Sequence, residues 1–245
     1  MTYPRSDGGP LLALDTVSLD VPPASFCSIV GPSGCGKSTL LMLVAGLYSA
    51  TAGRVVINNQ VVRGPWTDIG IVFQRDVLLE WRDVLDNVLL PIEVKRLSRT
   101  AYRERARGLL DLVGLAGFAN AYPEQLSGGM RQRVAICRAL VHDPPLLLMD
   151  EPFGALDALT RENLNLDLLR LNAETLKTTI FVTHNIDEAV LMSDQVVVLS
   201  ARPGRVRRVF EIDLPQPRGV GTREHPRFAL LVNEIRAEFH SMGII

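Results

Sequence analysis

Hydrophobic residues along this chain fall into two rhythms. Short, nearly unbroken apolar runs occur at Ser25 to Val30, Leu146 to Met149, Thr179 to Thr183 and Gln195 to Leu199, the pattern of strands buried on both faces of a parallel sheet. Leu11 to Val21 alternates and then meets Pro22-Pro23, which predicts a strand ending in a turn. Arg54 to Ile57 and Val61 to Val62 flank Asn58-Asn59-Gln60, a hairpin signal, and Ile69 to Phe73 is a further β-branched run. The second rhythm is helical. It covers Leu40 to Leu47, Met130 to Val141, Ile186 to Met192 and the stretch from Asp83 to Val113, where Tyr102 to Leu112 puts charges on one face and leucines on the other. Phe228, Leu231, Val232, Ile235 and Phe239 recur at helical spacing and predict an amphipathic helix that covers a core rather than anchors in a membrane. Strands alternating with helices predict a doubly wound α/β core, with the helical stretch after Asp83 as an insertion.

Composition narrows the class. A chain of 245 residues, 47% hydrophobic and 22% charged, suits one compact α/β domain with a modest inserted subdomain. No apolar run approaches the roughly 20 residues needed to cross a bilayer, and the N-terminus lacks the features of a signal peptide, so a soluble cytosolic chain is expected. Cys27, Cys35 and Cys137 show no metal spacing and read as reduced thiols, Cys27 in the core and Cys35 where a thiol reagent could affect activity. A net charge of −1 gives no nucleic-acid footprint.

The chemistry centres on Gly31-Pro32-Ser33-Gly34-Cys35-Gly36-Lys37-Ser38, which fits the phosphate-loop pattern G-x-x-x-x-G-K-[ST] between a strand-like and a helix-like run. Such a loop turns backbone N–H groups inward and faces an anion with a helix N-terminus, so the chain reads as a nucleoside-triphosphate binder. Lys37 is expected on the β- and γ-phosphates and Ser38 on Mg²⁺. Leu146 to Met149 delivers Asp150-Glu151 to a strand C-terminus, where open α/β sheets place ligands. Asp150 would hold the Mg²⁺ shell, and Glu151, pointing the other way along the pleat, would polarise a water for attack on the γ-phosphate. His184 follows another such run, near the same ligand edge, and would hydrogen-bond the γ-phosphate. Ser127-Gly128-Gly129 opens the helix from Met130, a second helix N-terminus suited to an anion. One triphosphate hardly needs two such ends from one chain, which suggests a site shared between chains.

Taken in order, GPSGCGKST, VFQ ending at Gln74, LSGGMRQRV from Leu126 to Val134, LLLMDEP from Leu146 to Pro152, GALD from Gly154 to Asp157 and VTH ending at His184 resemble the nucleotide-binding subunit of an ATP-binding-cassette transporter. The resemblance spans nearly the whole chain. It implies a P-loop NTPase core of the RecA-like kind with an antiparallel β subdomain and an inserted helical subdomain, in one ABC ATPase domain over 1–245. Within it, about 1–75 and 143–205 would form the catalytic core with the β subdomain, about 76–142 the helical subdomain with the signature, and about 206–245 a C-terminal strand and helix.

By the same resemblance, Gly31 to Thr39 would hold ATP, and Ser127, Gly128, Gly129 and Gln132 would press on the ATP of the opposing subunit in a head-to-tail homodimer. Gln74 would sense the γ-phosphate and Mg²⁺, Asp157 would link the two sites, and Tyr3 would stack on adenine. A strand usually precedes that aromatic, and none fits ahead of Tyr3 here. Pro22-Pro23-Ala24-Ser25 stands where relatives usually have Pro-Gly-Glu, a change that should affect a turn rather than chemistry.

Leu78, Leu79 and Trp81, after Gln74, carry more apolar surface than a solvated loop needs, and read either as packing within the helical subdomain or as a groove for a partner's helix. In this family that groove receives the coupling helix of the transmembrane permease. LLEWRDVLDNVLLP and the tail Ile212 to Arg218 are similar to importers of the nitrate, sulfonate and taurine group, although Glu80 stands where relatives commonly have proline. The resemblance thus implies an ATPase at the cytoplasmic face of the cell membrane, working with permease subunits and a periplasmic or extracellular solute-binding protein to import a small anionic solute. An exporter or lipid-trafficking subunit shares every catalytic residue, and a non-transport ATPase acting on nucleic acid or ribosomes shares the superfamily. Arg202, Arg205, Arg207 and Arg208 form a basic edge, read as solvated strand ends or as a meeting point for anionic headgroups.

Overall fold

The computed structural model describes residues 1–3, 9–154 and 156–243; Ala155, which stands in the GALD wording, lies outside them. The strands are β1 (Thr2–Tyr3), β2 (Leu11–Leu12), β3 (Phe26–Val30), β4 (Val56–Ile57), β5 (Gln60–Val61), β6 (Ile69–Val72), β7 (Leu146–Asp150), β8 (Thr178–Val182), β9 (Gln195–Leu199) and β10 (Val206–Glu211). The helices are α1 (Lys37–Val44), α2 (Val84–Val94), α3 (Arg99–Leu112), α4 (Gly128–Leu140), α5 (Ala158–Thr175), α6 (Ile186–Met192) and α7 (Pro226–Ser241). They fall into two compact units, Met1–Thr67 with Thr178–Ile245, and Asp68–Lys177.

In the first unit β3 lies between β8 and β9, parallel to both, and β10 closes the edge antiparallel to β9. β3 and β9 are buried at every position, as runs without alternation should be. Phe26 and Phe181 meet across neighbouring strands with ring centroids 5.7 Å apart. α6 packs on β3, and α7 packs on α6 through the expected face of Phe228, Leu231, Val232, Ile235 and Phe239, all buried. The β4–β5 hairpin turns on Asn58 and Asn59 with φ of 49° and 62°, the pair of left-handed residues that a two-residue hairpin demands.

The alternating stretch Leu11 to Val21 does not extend as a strand. Only Leu11–Leu12 pairs, antiparallel to Thr2–Tyr3, and Thr16 at φ 48° breaks the run soon after. Tyr3 thus sits on a strand itself. The Pro22-Pro23-Ala24-Ser25 departure does affect a turn, with Ala24 held at φ 55° and its N–H donated to the Thr178 hydroxyl at 2.9 Å.

The second unit pairs β6 with β7 in parallel and packs α2, α3 and α4 against one another, with α4 also against β6 and α5. The pattern predicts no element over 158–175, yet α5 runs there. Leu164, Leu166 and Leu168 alternate with Asn165 and Asp167 like a strand, whereas the buried leucines are Leu164, Leu168 and Leu171, at helical spacing. Each of α2, α4 and α5 starts on a capping side chain, Asp83, Ser127 and Asp157, which accepts an N–H from the first turn. Among the described residues no helix is long and apolar enough to cross a membrane.

The tail Ile212 to Arg218 is held by a buried guanidinium. Arg218 donates to the carbonyls of Ser193 and Ile212 and pairs with Asp194, whose other oxygen accepts the N–H of Phe26 at the start of β3. Arg218→Ala leaves two carbonyls without this donor and should cost roughly 2–4 kcal/mol in urea unfolding; a loss under 1 kcal/mol would show that water replaces the guanidinium.

Candidate nucleotide-binding site

In the first unit, β3 carries the chain to Gly31 at the sheet edge where β8 also ends, since Ile29 is in register with Val182. The loop Gly31–Gly36 turns there and α1 begins at Lys37. Gly36 caps α1 at φ 107°, a conformation that side chains resist, and brings no capping side chain, while the first turn of α1 has no acidic residue. The helix N-terminus is therefore left to an anion. Lys37 is buried, and its ammonium donates to the carbonyls of Gly31 at 2.9 Å and Pro32 at 3.2 Å. Ser33, Gly34 and Ser38 are exposed along the same loop, Pro32 and Thr39 are half-buried, and Cys35 is buried.

Tyr3 is half-buried and donates its phenolic O–H to the Thr39 hydroxyl at 3.0 Å. Its ring meets Tyr48 edge-on, with centroids 5.9 Å apart. The candidate base-stacking residue is thus tied to the residue after Ser38, and its aromatic neighbour, exposed just past α1, carries no sequence signal of its own. His184 is exposed at the corner between β8 and α6. That corner is held by Thr183, whose hydroxyl donates to the buried Glu188 at 2.8 Å and accepts from the Asn185 N–H at 3.0 Å.

In the second unit β6 and β7 end together, with Val72 in register with Met149, so Gln74, Asp150 and Glu151 follow one edge. β7 stops at Asp150, and Glu151 turns off the strand at φ 44°. Its direction therefore comes from a left-handed backbone and not from the pleat, a conformation that costs energy for a residue with a Cβ and concentrates at functional sites. The buried Phe153 and a bond from the Gly154 N–H to the Glu151 carbonyl, 3.1 Å, close the turn. The Gln74 amide and the Glu151 carboxylate converge at this turn: a Cβ on Gly154 would lie 3.5 Å from Gln74 Nε2 and 3.8 Å from Glu151 Oε2.

Ser127 caps α4 by accepting from the Met130 N–H at 3.3 Å, with Gly128 exposed and Gly129 buried. Gln132 does not stand beside them. It is buried and donates to the Phe73 carbonyl at 3.4 Å, because its place on α4 faces the end of β6. Asp157 is exposed and accepts from the Thr160 N–H at 3.0 Å as the cap of α5; the Thr160 side chain, then its N–H, holds the carboxyl below its ordinary pKa. Of the apolar residues after Gln74, Leu78 is buried in the core, Leu79 is half-buried and Trp81 is 75% exposed, with the neighbouring Val77 exposed too. The outward surface is therefore Val77, Leu79 and Trp81. Burial also pushes the Cys27 and Cys137 thiols up to about 12, which keeps them protonated and unreactive.

Three polar residues that sequence patterns do not single out hold the segment after Gln74. Arg131 pairs through Nε with Asp76 at 3.0 Å and donates to the Leu126 carbonyl at 2.8 Å. Arg138, two turns along α4, donates to the carbonyls of Val77 and Asp76 at 2.7 and 2.6 Å. The buried Asn87 donates to the carbonyls of Leu79, Arg82 and Asp83 and accepts from the Leu79 N–H. Their only signal in the sequence is a helical spacing that reads as a solvated face for the arginines and as a lone polar in α2 for the asparagine.

The sequence pattern of the family described as ABC transporter matches residues 14–154. An ABC transporter ATP-binding protein of Methanocaldococcus jannaschii, itself uncharacterised, is 50% identical over 212 residues, covering 86% of this chain and 79% of that protein. The taurine import ATP-binding protein TauB of Rhizobium johnstonii is 47% identical over 236 residues, 94% of this chain and 89% of the relative. The nitrate import ATP-binding protein NrtC of Synechococcus elongatus is 45% identical over 232 residues, 93% of this chain and 35% of that longer protein. Among solved structures, the dimeric structure of MJ0796, a bacterial ABC transporter cassette, superposes with a TM-score of 0.75 at 38% identity, covering 86% of this chain and 95% of that one. A second structure of that cassette, in a post-hydrolysis state bound to ADP and phosphate, aligns equally well.

Arg138→Ala should raise amide hydrogen exchange across residues 75–79 at least several-fold, since local opening there loses two charge-assisted bonds. Unchanged exchange in that segment would assign its order to Asn87 and the Arg131–Asp76 pair.

Proposed function

Since this chain belongs to the ABC transporter family, as one of its ATP-hydrolysing subunits with the ABC ATPase fold, we propose that it powers the uptake of a small anionic solute of the nitrate, sulfonate or taurine kind. The observation that carries this reading is the identity of 45–47% over more than nine-tenths of the chain to proteins named for nitrate and taurine import. The wording of the segment after Gln74 supports it too, because the chain keeps an exposed Trp81 where a partner's helix would dock.

In this reading ATP lies along Gly31 to Thr39. Lys37 exchanges its loop carbonyls for the β- and γ-phosphates, the N–H groups at the start of α1 face the phosphate charge, and Tyr3 stacks on the adenine. The donors assigned to Mg²⁺, the Ser38 hydroxyl, the Gln74 amide and the Asp150 carboxylate, are all oxygens, which this ion takes alongside phosphate and water. When bound, the ion neutralises charge on the β- and γ-phosphates. Glu151 accepts a proton from the attacking water, and His184 holds the γ-phosphate by a hydrogen bond. Gln74 reports the γ-phosphate to the segment beyond it. Ser127, Gly128 and Gly129 face the nucleotide of a second copy in a head-to-tail dimer that closes on two ATPs, with Asp157 at the link. Gln132, turned inward, acts by holding the end of β6 rather than by touching that nucleotide. The dimer works at the cytoplasmic face of the cell membrane, with permease subunits and a solute-binding protein.

Glu151→Gln is expected to lower ATP turnover by about a hundredfold or more and to accumulate a dimer in excess Mg-ATP; a monomer by light scattering would count against the shared site. Leu79→Ala with Trp81→Ala should reduce recovery of a polytopic permease from detergent-solubilised membranes while leaving ATP affinity unchanged. The reading stands if membranes reconstituted with that permease take up taurine, a sulfonate or nitrate on ATP addition. It falls if the recovered permease moves substrate outward or if only soluble partners are recovered.

A further inference from the structure

The arginines near the β9–β10 connection do not form one basic surface. Arg205 pairs with Asp15 at 3.0 Å, and Arg208 pairs with Glu238 at 3.4 Å with its guanidinium over the Phe210 ring. Arg202 turns instead towards the phosphate loop and donates from Nε and Nη2 to the carbonyl of Gly34, at 3.1 and 3.0 Å.

The turn that carries Arg202 is built to stay there. Ser200 N–H donates to the Arg205 carbonyl at 2.9 Å, and the Ser200 hydroxyl donates to the Pro203 carbonyl while accepting from the Arg205 N–H, both at 3.0 Å. Gly204 donates to the Ala13 carbonyl and accepts from the Asp15 N–H, both at 2.9 Å, so the turn is pinned to the segment beside β2. On its other side it lies directly on the loop: a Cβ on Gly204 would be 2.1 Å from the Cys35 carbonyl oxygen. Glycine at 204 is what lets the turn come this close.

A loop that aims its N–H groups at an anion sends carbonyls outward, and an outward carbonyl without a donor leaves its peptide free to turn. Gly34 sits at φ 73°, with no side chain to restrain it. We propose that Arg202 is a positioning residue for ATP binding, fixing the Gly34–Cys35 peptide so that the phosphate loop is shaped for the β-phosphate before the nucleotide arrives. Its effect is one of preorganisation: ordering that the arginine supplies is ordering the nucleotide does not have to impose. ATP and ADP share the β-phosphate, so both benefit alike, and the chemical step at the γ-phosphate is untouched.

The test is a titration of the full chain with ATP and ADP, alongside turnover at saturating Mg-ATP. Arg202→Ala should raise Kd for both nucleotides together, about five- to tenfold for the loss of a charge-assisted bond, with kcat within about twofold. Arg202→Lys and Arg202→Gln, each keeping a donor, should recover part of the affinity. Gly204→Ala, which drives the turn off the loop with Arg202 intact, should weaken both nucleotides in the same way. Because Arg202 is exposed, the nucleotide-free melting temperature should fall by only a few degrees; if Arg202→Ala fails to fold, the Lys and Gln variants carry the titration. Unchanged affinity for both nucleotides overturns the proposal. So does weakened ATP with unaltered ADP, which would put the arginine on the γ-phosphate, or lowered kcat with unaltered Kd, which would make it catalytic.

Discussion

A backbone loop that offers its amides to phosphate must dispose of its carbonyls on the opposite side, and the first unit is organised around that requirement. The Gly31 and Pro32 carbonyls go to the Lys37 ammonium, and the Gly34 carbonyl goes to Arg202. Neither donor can be placed without the sheet. Lys37 is positioned because β3 is buried at every residue and delivers the loop in one register, and Arg202 because β9, equally buried, ends beside it. Lys37 can be buried with its charge because the Gly31 and Pro32 carbonyls accept from its ammonium.

The second unit solves a different problem, that of holding Gln74 and an exposed apolar surface on the same short segment. Residues 73 to 83 have little regular structure, yet Gln132, Arg131 and Arg138 of α4 and Asn87 of α2 reach their backbone or Asp76. The helix that opens at Ser127 and the segment that carries Gln74 are therefore fastened to one another by those bonds. Glu151, at φ 44°, is one of several left-handed residues of this unit, alongside Val77, Arg96, Asp143 and Leu176, and the turn closed by Gly154 and anchored by Phe153 is what holds it there.

Much of this was legible in the residues. Buried strands announced themselves because a strand covered on both faces has no polar alternation to obscure it, and the phosphate loop did so because its spacing has few other uses. Where one signal stood for two structures, the reading failed. Leu11 to Val21 alternates, but its short polar residues form a loop fastened by main-chain bonds to Gly204 instead of a ladder. In α5 the leucines at 164, 166 and 168 mimic a strand, and only burial separates Leu166 from the other two. Leu78 and Trp81 look alike as apolar residues in one loop, and which of them faces out depends on the register set by Asn87. The roles of Arg138 and Arg202 were invisible because each acts on a carbonyl, and a carbonyl partner leaves no trace in the side-chain sequence.

That last point has a consequence for how such proteins diversify. Asn87 and Arg138 grip the segment beyond Gln74 by its main chain, at the carbonyls of Asp76, Val77, Leu79, Arg82 and Asp83. Main-chain atoms are common to every amino acid short of the N–H that proline lacks. The outward side chains at Val77, Glu80 and Trp81 can therefore be exchanged while the fitting beneath them keeps its shape. An ATPase constructed in this way can change the outward face of this segment through a few exposed substitutions, with no change to the residues that grip it from beneath.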